Sequence, residues 1–469
     1  MTNSRRVVTV SRPGIRYVDK SPFDPPNPVY AAVESMFRNL GLDAANTSSP
    51  DWNPLGDLIR PGDRVIVKPN LVSSKNLHQK ITGDLLEASS THGSLLRPIL
   101  DYALKAAGPQ GQVRVVDTPV EGCEIEKVAG PLGVYSVVDY LRGKGHNIGF
   151  IDMRYFRVAP MFLLDDVRRF GRSWNLGLLV RRPLPGDPRG YRVVNVGSRS
   201  SFARPDAPRS ENLRFHRSHY LTPVEHHSHG RHEYSIPQTV LDADVVINIP
   251  KMKTHKKTGV TLSLKSVIGL SNEKYWLPHF TAGDPSIGGD EYDRPQAASE
   301  SLENKLSRFP LPGDHSLVAR AARIGGPPKV IDGSWEGNDT LWRTILDLNR
   351  ILFFADAQGV FHEKPVRKYL TLVDGIVAGE GEGPLGATPV RAGLLVGGFD
   401  PARVDAMTSR NMGYDPEKIV MIREAFGGAL LEGSSLSDID HTLDGDEPAR
   451  KFKPPRSWPS LLPNVEKAG

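Results

Sequence analysis

Between Asp244 and Leu270 the chain reads DVVINIPKMKTHKKTGVTLSLKSVIGL. An apolar run (Val245, Val246, Ile247, Ile249) leads directly into Lys251, Lys253, His255, Lys256 and Lys257, with Lys265 following. A buried strand that delivers this much positive charge at its end suits an anion. The lysine ammonium is a strongly hydrated point charge that matches phosphate or carboxylate. Thr254, Thr258, Thr261 and Ser263 add hydroxyl donors, and Gly259 permits close backbone approach. His255, set among ammonium groups, should have a lowered pKa, which suits a general base. The competing reading is a basic solvated loop.

Other short apolar runs also end in polar chemistry. RVIV (64–67) is followed by Lys68-Pro69-Asn70, QVRVV (112–116) by Asp117, LTLV (370–373) by Asp374, and GLLV (393–396) leads to Asp400. Pro69 holds Lys68 extended, so Lys68 and Asn70, two positions apart, project to one side. In open α/β sheets ligands bind beyond the carboxyl ends of the strands. One shared pocket therefore explains these ends together, although Asp, Lys and Pro are ordinary loop formers. The Gly-rich stretch GEGEGPLG (379–386) matches neither a P-loop nor a dinucleotide fingerprint. Its Glu380 and Glu382 would repel a bare phosphate, so a metal-mediated contact or an acid/base role fits better, with a tight turn as the plain alternative.

Six of 14 histidines fall in one tract: His216, His219, His226, His227, His229 and His232. The spacing of three at His226, His229 and His232, with Glu225 and Glu233 alongside, would suit a divalent ion such as zinc or nickel. H-E-x-x-H is absent. A substrate loop or a plain surface loop are the other readings.

The elements that must position these residues read as alternating strands and helices. Apolar runs without polar alternation indicate strands covered on both faces. Helical spacing runs through Pro28–Leu40 and through Leu95–Ala107, which Gly108 stops. Asp339 or Thr340 can cap Leu341–Phe354, and Asp400-Pro401 and Asp415-Pro416 read as N-caps with Pro at the first helical position. The expected fold is α/β, with largely parallel or mixed sheets flanked by helices and an inserted His/Arg-rich subdomain. The boundaries read 1–150 for an N-terminal α/β region and 151–240 for the insertion, with a strand at Tyr191–Val196. Residues 241–433 form an α/β region carrying the Lys-rich and Gly/Glu loops, and 434–469 a polar, Pro-rich tail. A helix near 299–308 and a GGPP turn at 325–328 are expected in the stretch 281–340.

Bulk properties exclude several classes. A 469-residue chain with 39% hydrophobic and 24% charged residues has ample core. The net charge of +5 is mild for this length. Aromatics are not interleaved with the basic run, which disfavours nucleic acid. One cysteine, Cys123, rules out disulfides, zinc ribbons and Cys-ligated iron–sulfur clusters within one chain. No apolar run of about 18 residues occurs, so no membrane span is expected. The twin arginines of MTNSRRVVTV precede no export-type apolar stretch and read as the start of a strand. Cytoplasmic is the default location.

The segments VKPNLV (67–72), 244–270, DLNRILFFAD (347–356), LVDGIVAGEGEGPLG (372–386) and FDPARVDAMTSRNMGYDP (399–416) resemble the domain of unknown function 362 family. They occur in that family's order. HEY (232–234), LPHF (277–280) and GGDEY (288–292) resemble a longer branch of it without clusters. Some relatives carry ferredoxin-type cysteines; this chain has none, so a redox role does not carry over. Ser266 stands where the family motif usually has Asn. The resemblance implies a pocket lined by Lys68, Asn70, Lys253, His255, Lys265, Asp374 and Asp405. It implies no reaction.

The leading expectation is an enzyme acting on a small anionic metabolite, phosphorylated or carboxylated, by acid/base chemistry, with or without a metal, of lyase, isomerase or transferase type. His255, His279, Asp374 and Glu382 are the catalytic candidates. Lys68, Asn70, Asp117, Lys251, Lys253, Thr261, Lys265, Gly383 and Asp405 are the binding candidates. The alternatives are a noncatalytic metal- or polyanion-binding protein and an assembly role with an acidic partner. The sequence names neither a cofactor beyond a divalent metal ion nor an oligomeric state.

Overall fold

The structure is a computed structural model and describes residues 5–74, 84–161, 178–215, 224, 226–293, 332–430, 435–449 and 451–462. The helix and turn expected at 299–308 and 325–328, and His216, His219 and Glu225, lie outside the described residues.

Among the described residues eleven strands form one sheet. They are β1 (Arg6–Ser11), β2 (Arg64–Pro69), β3 (Gln112–Asp117), β4 (Ile148–Asp152), β5 (Val245–Ile249), β6 (Lys251–His255), β7 (Gly259–Val260), β8 (Lys368–Glu382), β9 (Gly386–Val390), β10 (Leu394–Gly398) and β11 (Asp440–Gly445). The main order is β11-β1-β10-β8-β5-β2-β3-β4, with β6 on β8 and β7, and β9 on β8. The run β8-β5-β2-β3-β4 is parallel throughout, β11 is parallel to β1, and β10 runs antiparallel between β1 and β8. The sheet is thus mixed and mostly parallel, and it draws strands from both ends of the chain.

The sheet is covered on both faces, as the continuous apolar runs require. The period-two alternation of a strand sends Val65, Val67, Val245 and Ile247 to one core and Ile66 and Val246 to the other. The first core is closed by helices α1 (Pro28–Asn39), α3 (Gly93–Ala107) and α4 (Val134–Gly143); the short helix α2 (Asp84–Ser89) precedes α3. The second is closed by the short α5 (Ser263–Ser266), α6 (Leu341–Phe354) and α7 (Pro401–Met412). Asn27 and Asp400 cap α1 and α7 with Pro at the first helical position. At α6 Thr340 is the N-cap residue, as expected, but its side chain makes no capping bond; Asn338 Oδ1 accepts the Leu341 amide at 2.9 Å instead.

Residues 151–240 build small sheets. Phe156–Met161 pairs with Leu178–Pro183, Arg231–Pro237 pairs with Tyr191–Asn195 and His227–Ser228, and Leu213–Arg214 pairs with Phe280–Thr281. The C-terminal stretch supplies β11 on the sheet edge and then an arm, 451–462, that buries Phe452, Trp458 and Leu461. Among the described residues no helix is long and apolar enough to cross a membrane.

Candidate functional site

Two of the lysines at the strand ends are consumed by carboxylates. Lys68, 1% exposed at the end of β2, sits 3.0 Å from Asp117 at the end of β3 and donates to the Pro69 carbonyl at 2.9 Å. Asp117 also accepts from the Leu71 and Thr118 amides at 2.7 and 2.8 Å. Burial pushes its pKa up, and the Lys68 ammonium pulls it back. Gly269 lies over this pair: a Cβ there would stand 2.4 Å from Asp117 Oδ1 and 2.6 Å from Lys68 Nζ. Only glycine lets the 267–270 turn close on the ion pair.

The second pair joins Lys251 to Asp374, both 0% exposed, at 3.0 Å. Lys251 donates to the Tyr17 hydroxyl at 2.7 Å, and that hydroxyl donates to Asp374 Oδ1 at 2.5 Å. The His92 ring stacks on Tyr17 with centroids 4.2 Å apart, and its amide donates to Asp374 Oδ2 at 3.3 Å. Burial lowers the Lys251 pKa against the pull of Asp374, and lowers that of His92 to about 3. Burial raises the Tyr17 phenol, and the Asp374 carboxylate adds to the effect.

Lys253 and Lys265 differ from these. Neither forms an ion pair with a described residue. Lys253 is 0% exposed, and its ammonium donates to the Ser89 carbonyl at the end of α2. Burial, then repulsion from Lys265 and Lys251, drives its pKa well below the usual lysine value. Lys265 is half-buried; burial, then Lys257 and Lys68, lower it to about 8.

Orphaned polar atoms occur on the neighbouring segments. Asn70 Oδ1, Ser90 Oγ, Thr261 Oγ1 and Ser266 Oγ are buried without a hydrogen-bond partner. Their backbones are tied together at the same strand ends. Asn70 and Thr91 exchange bonds at 2.9 and 3.0 Å, the Thr261 amide donates to the Lys253 carbonyl at 2.7 Å, and Ser266 follows Lys265 on α5. Buried polar atoms are ordinarily satisfied. Two lysines without an acidic partner among the described residues, together with these unpartnered polar atoms, make up the candidate site.

Two imidazoles flank it. His255 is buried, and its Nδ1 accepts the Lys257 amide at 3.1 Å, so its hydrogen sits on Nε2. Burial, then Lys265, Lys253 and Lys257, hold it well below the usual histidine range. It is a neutral donor in this geometry, because the backbone occupies its lone pair. His279 has the opposite tautomer: Nδ1–H donates to the Leu277 carbonyl at 2.8 Å, which leaves the lone pair on Nε2. The two rings interact electrostatically.

The turn carrying Thr261 and Lys265 is strained and braced. Leu262, fully buried, has φ 145 and ψ −155, a region nearly reserved for glycine. Asp405, reaching from α7, accepts the Ser263 and Leu264 amides at 2.7 and 2.8 Å and caps α5. Burial pushes Asp405 up to about 8, against the pull of those two amides. Asp405 therefore braces the turn that carries Lys265.

The remaining candidates lie elsewhere. Glu382 pairs with Lys256 at 2.8 Å and accepts the Arg456 amide at 2.9 Å. Glu380 accepts the Lys453 amide at 2.9 Å. The Gly/Glu loop thus holds the C-terminal arm. The Gly383 carbonyl accepts the Lys256 amide at 3.1 Å, and a Cβ at Gly383 would lie 2.0 Å from the Thr254 carbonyl oxygen. His226, His229 and His232 are kept apart. His226 bonds Glu233 at 3.0 Å and stacks on Trp276, His229 occupies a left-handed turn, and His232 faces His227. Among the described residues no group of three His, Cys, Asp or Glu side chains could hold a metal ion.

Tyr17, His92, Ser90 and Gly269 were not singled out from sequence. The polar run Ser89-Ser90-Thr91-His92, directly before a strong helical pattern, was the available signal for two of them. Tyr17 and Gly269 carry no local signal, because their partners are remote in the chain.

Residues 204–410 match the model of the domain of unknown function family DUF362. No curated protein and no solved structure matches the chain. The matched range holds β5, β6, β8, α5 and α7, and so Lys251, Lys253, His255, Lys265, Asp374 and Asp405; Lys68, Asn70 and Asp117 precede it. Over residues 204–410 the chain is similar to the DUF362 family.

Proposed function

We propose that the protein is an enzyme that binds a small anionic metabolite at Lys253 and Lys265 and acts on it by acid/base chemistry. The observation that carries this reading is the pair of unpaired cations set among buried, unpartnered hydroxyls. Removing charge from water is costly, and a buried ammonium without a counter-ion is a standing cost in the free protein. An incoming anion offsets it, so affinity comes from relief of that cost as well as from new contacts.

In this reading each residue has a separate task. Lys253 and Lys265 take the negative charge, and Ser90 and Thr261 donate hydrogen bonds. His255 donates from Nε2 to an oxygen that gains charge during the reaction. His279 receives a proton at Nε2. Lys251, Tyr17 and Asp374 hold β6 in place, as Lys68 and Asp117 hold β2 against β3. Lyase, isomerase and transferase steps all use such a set.

The test is untargeted mass spectrometry of a small-molecule extract incubated with wild-type protein, Lys253→Met and His279→Gln. The expected result is loss of an anionic metabolite with wild type alone. The reading fails if wild type consumes nothing and no anion alters the folded protein's thermal stability in a Lys253-dependent way.

A further inference from the structure

Resting on that anion-binding reading, we infer that the site takes a phosphate monoester dianion in preference to a carboxylate. The argument is one of charge and of donor number. Lys253 and Lys265 are two lysines without carboxylate partners among the described residues, since Asp117 and Asp374 already pair with Lys68 and Lys251. A monoanion balances one protonated ammonium; a dianion balances both.

The donors point the same way. An ammonium offers three N–H groups and a hydroxyl one. One Lys253 N–H is spent on the Ser89 carbonyl. The other two, those of Lys265, the hydroxyls of Ser90, Thr261 and Ser266, and His255 Nε2–H remain. These far outnumber the roughly four acceptor sites of a carboxylate. A monoester presents three terminal oxygens, each able to accept more than one bond, and is mostly dianionic at neutral pH with its second pKa near ~6. A carboxylate here would leave buried hydroxyls as orphaned as they are in the free protein, and each such group carries a desolvation penalty. The spread of the donors over the end of α2, β6, the turn after β7 and α5 also suits a tetrahedral group approached from several sides better than a planar one.

The lowered pKa values of both lysines add a signature. A dianion restores their protonated forms, so binding near pH 8 should take up protons from solution.

The test uses three probes at pH 7.5 on the full chain: methyl phosphate (a monoester dianion), dimethyl phosphate (a tetrahedral monoanion) and acetate. Dissociation constants are measured by NMR titration for wild type, Lys265→Gln and Lys265→Arg. Calorimetry in buffers of different ionisation enthalpy counts the protons. We expect methyl phosphate to bind at least tenfold tighter than either monoanion, with proton uptake. Lys265→Gln should remove that preference and Lys265→Arg should retain most of it, both variants unfolding cooperatively. Equal binding of acetate or dimethyl phosphate, dependent on Lys265, overturns the dianion inference and leaves the anion-binding reading standing. Absence of binding by all three probes to folded wild type overturns both.

Discussion

At the scale of single residues, the four lysines around the strand ends do unlike things. Lys68 and Lys251 each have a buried carboxylate at 3.0 Å, whereas Lys253 and Lys265 have none among the described residues. This difference was not readable from the sequence. Asp374 lies more than a hundred residues from Lys251, and only the sheet brings them together. What was readable is that polar chemistry gathers after Val67, Val116, Ile249 and Val373, because a strand end announces itself locally. Lys265 makes a direct prediction about pH. Its folded pKa is about 8 against 10.5 for a free lysine. A depressed lysine binds fewer protons in the folded than in the unfolded chain between those values. The free protein therefore bears a penalty below pH 8 that fades as pH rises from 8 toward 10.5. Replacing Lys265 with Met removes it. In urea unfolding of wild type and Lys265→Met, the variant's relative stability should be highest at pH 7 and fall by pH 10. A difference flat with pH would show that Lys265 is well solvated and would weaken the case for an uncompensated cation.

At the scale of elements, helix and strand positions were largely legible where local chemistry sets them. Asp400-Pro401 opens α7 and Gly108 closes α3 as their residue types require. β8 was the main shortfall: the run at 370–373 extends to Glu382, through glycines that weaken a strand pattern. Gly379 is there for close approach, since a Cβ would meet the Ala88 carbonyl oxygen at 2.8 Å and Lys253 Cβ at 3.1 Å. The α5 turn is the clearest case of one element positioning another. Leu262 holds a strained backbone, and Asp405 on α7 accepts the two amides that follow it. Asp405→Ala leaves two buried N–H groups unsatisfied, which should cost about 2–4 kcal/mol. Because the same turn carries Lys265, methyl phosphate affinity should fall as well, at temperatures where the variant remains folded. Asp405→Asn keeps one acceptor and should fall between. Unfolding in urea and the phosphate titration, run on both variants, separate the two effects. Unchanged affinity in a destabilised Asp405→Ala would confine Asp405 to core stability.

At the scale of the molecule, the C-terminal stretch ties the edge of the sheet to the site. β11 covers β1 and leaves that strand no open edge on its far side. The arm then crosses to the outer end of β8, where the Lys453 and Arg456 amides meet Glu380 and Glu382. Trp458, 2% exposed, donates its indole N–H to the Lys256 carbonyl and packs on Gly259, whose Cβ would lie 3.1 Å from the ring. Gly259 is left-handed at φ 73, so the turn between β6 and β7 needs it twice over, for conformation and for room. That turn lies between His255 and Thr261, so the arm presses on the segment joining two walls of the site. Nothing local in a polar, Pro-rich tail announces this, since its partners sit from 73 to 202 residues earlier. Trp458→Ala should cost about 3–5 kcal/mol through the lost ring. Its distinctive effect should be local: faster amide exchange over 256–261, and weaker methyl phosphate binding while exchange in β2 and β5 stays at wild-type rates. If exchange instead rises evenly across the sheet and affinity holds in the folded fraction, the arm seals the core and has no part in shaping the site.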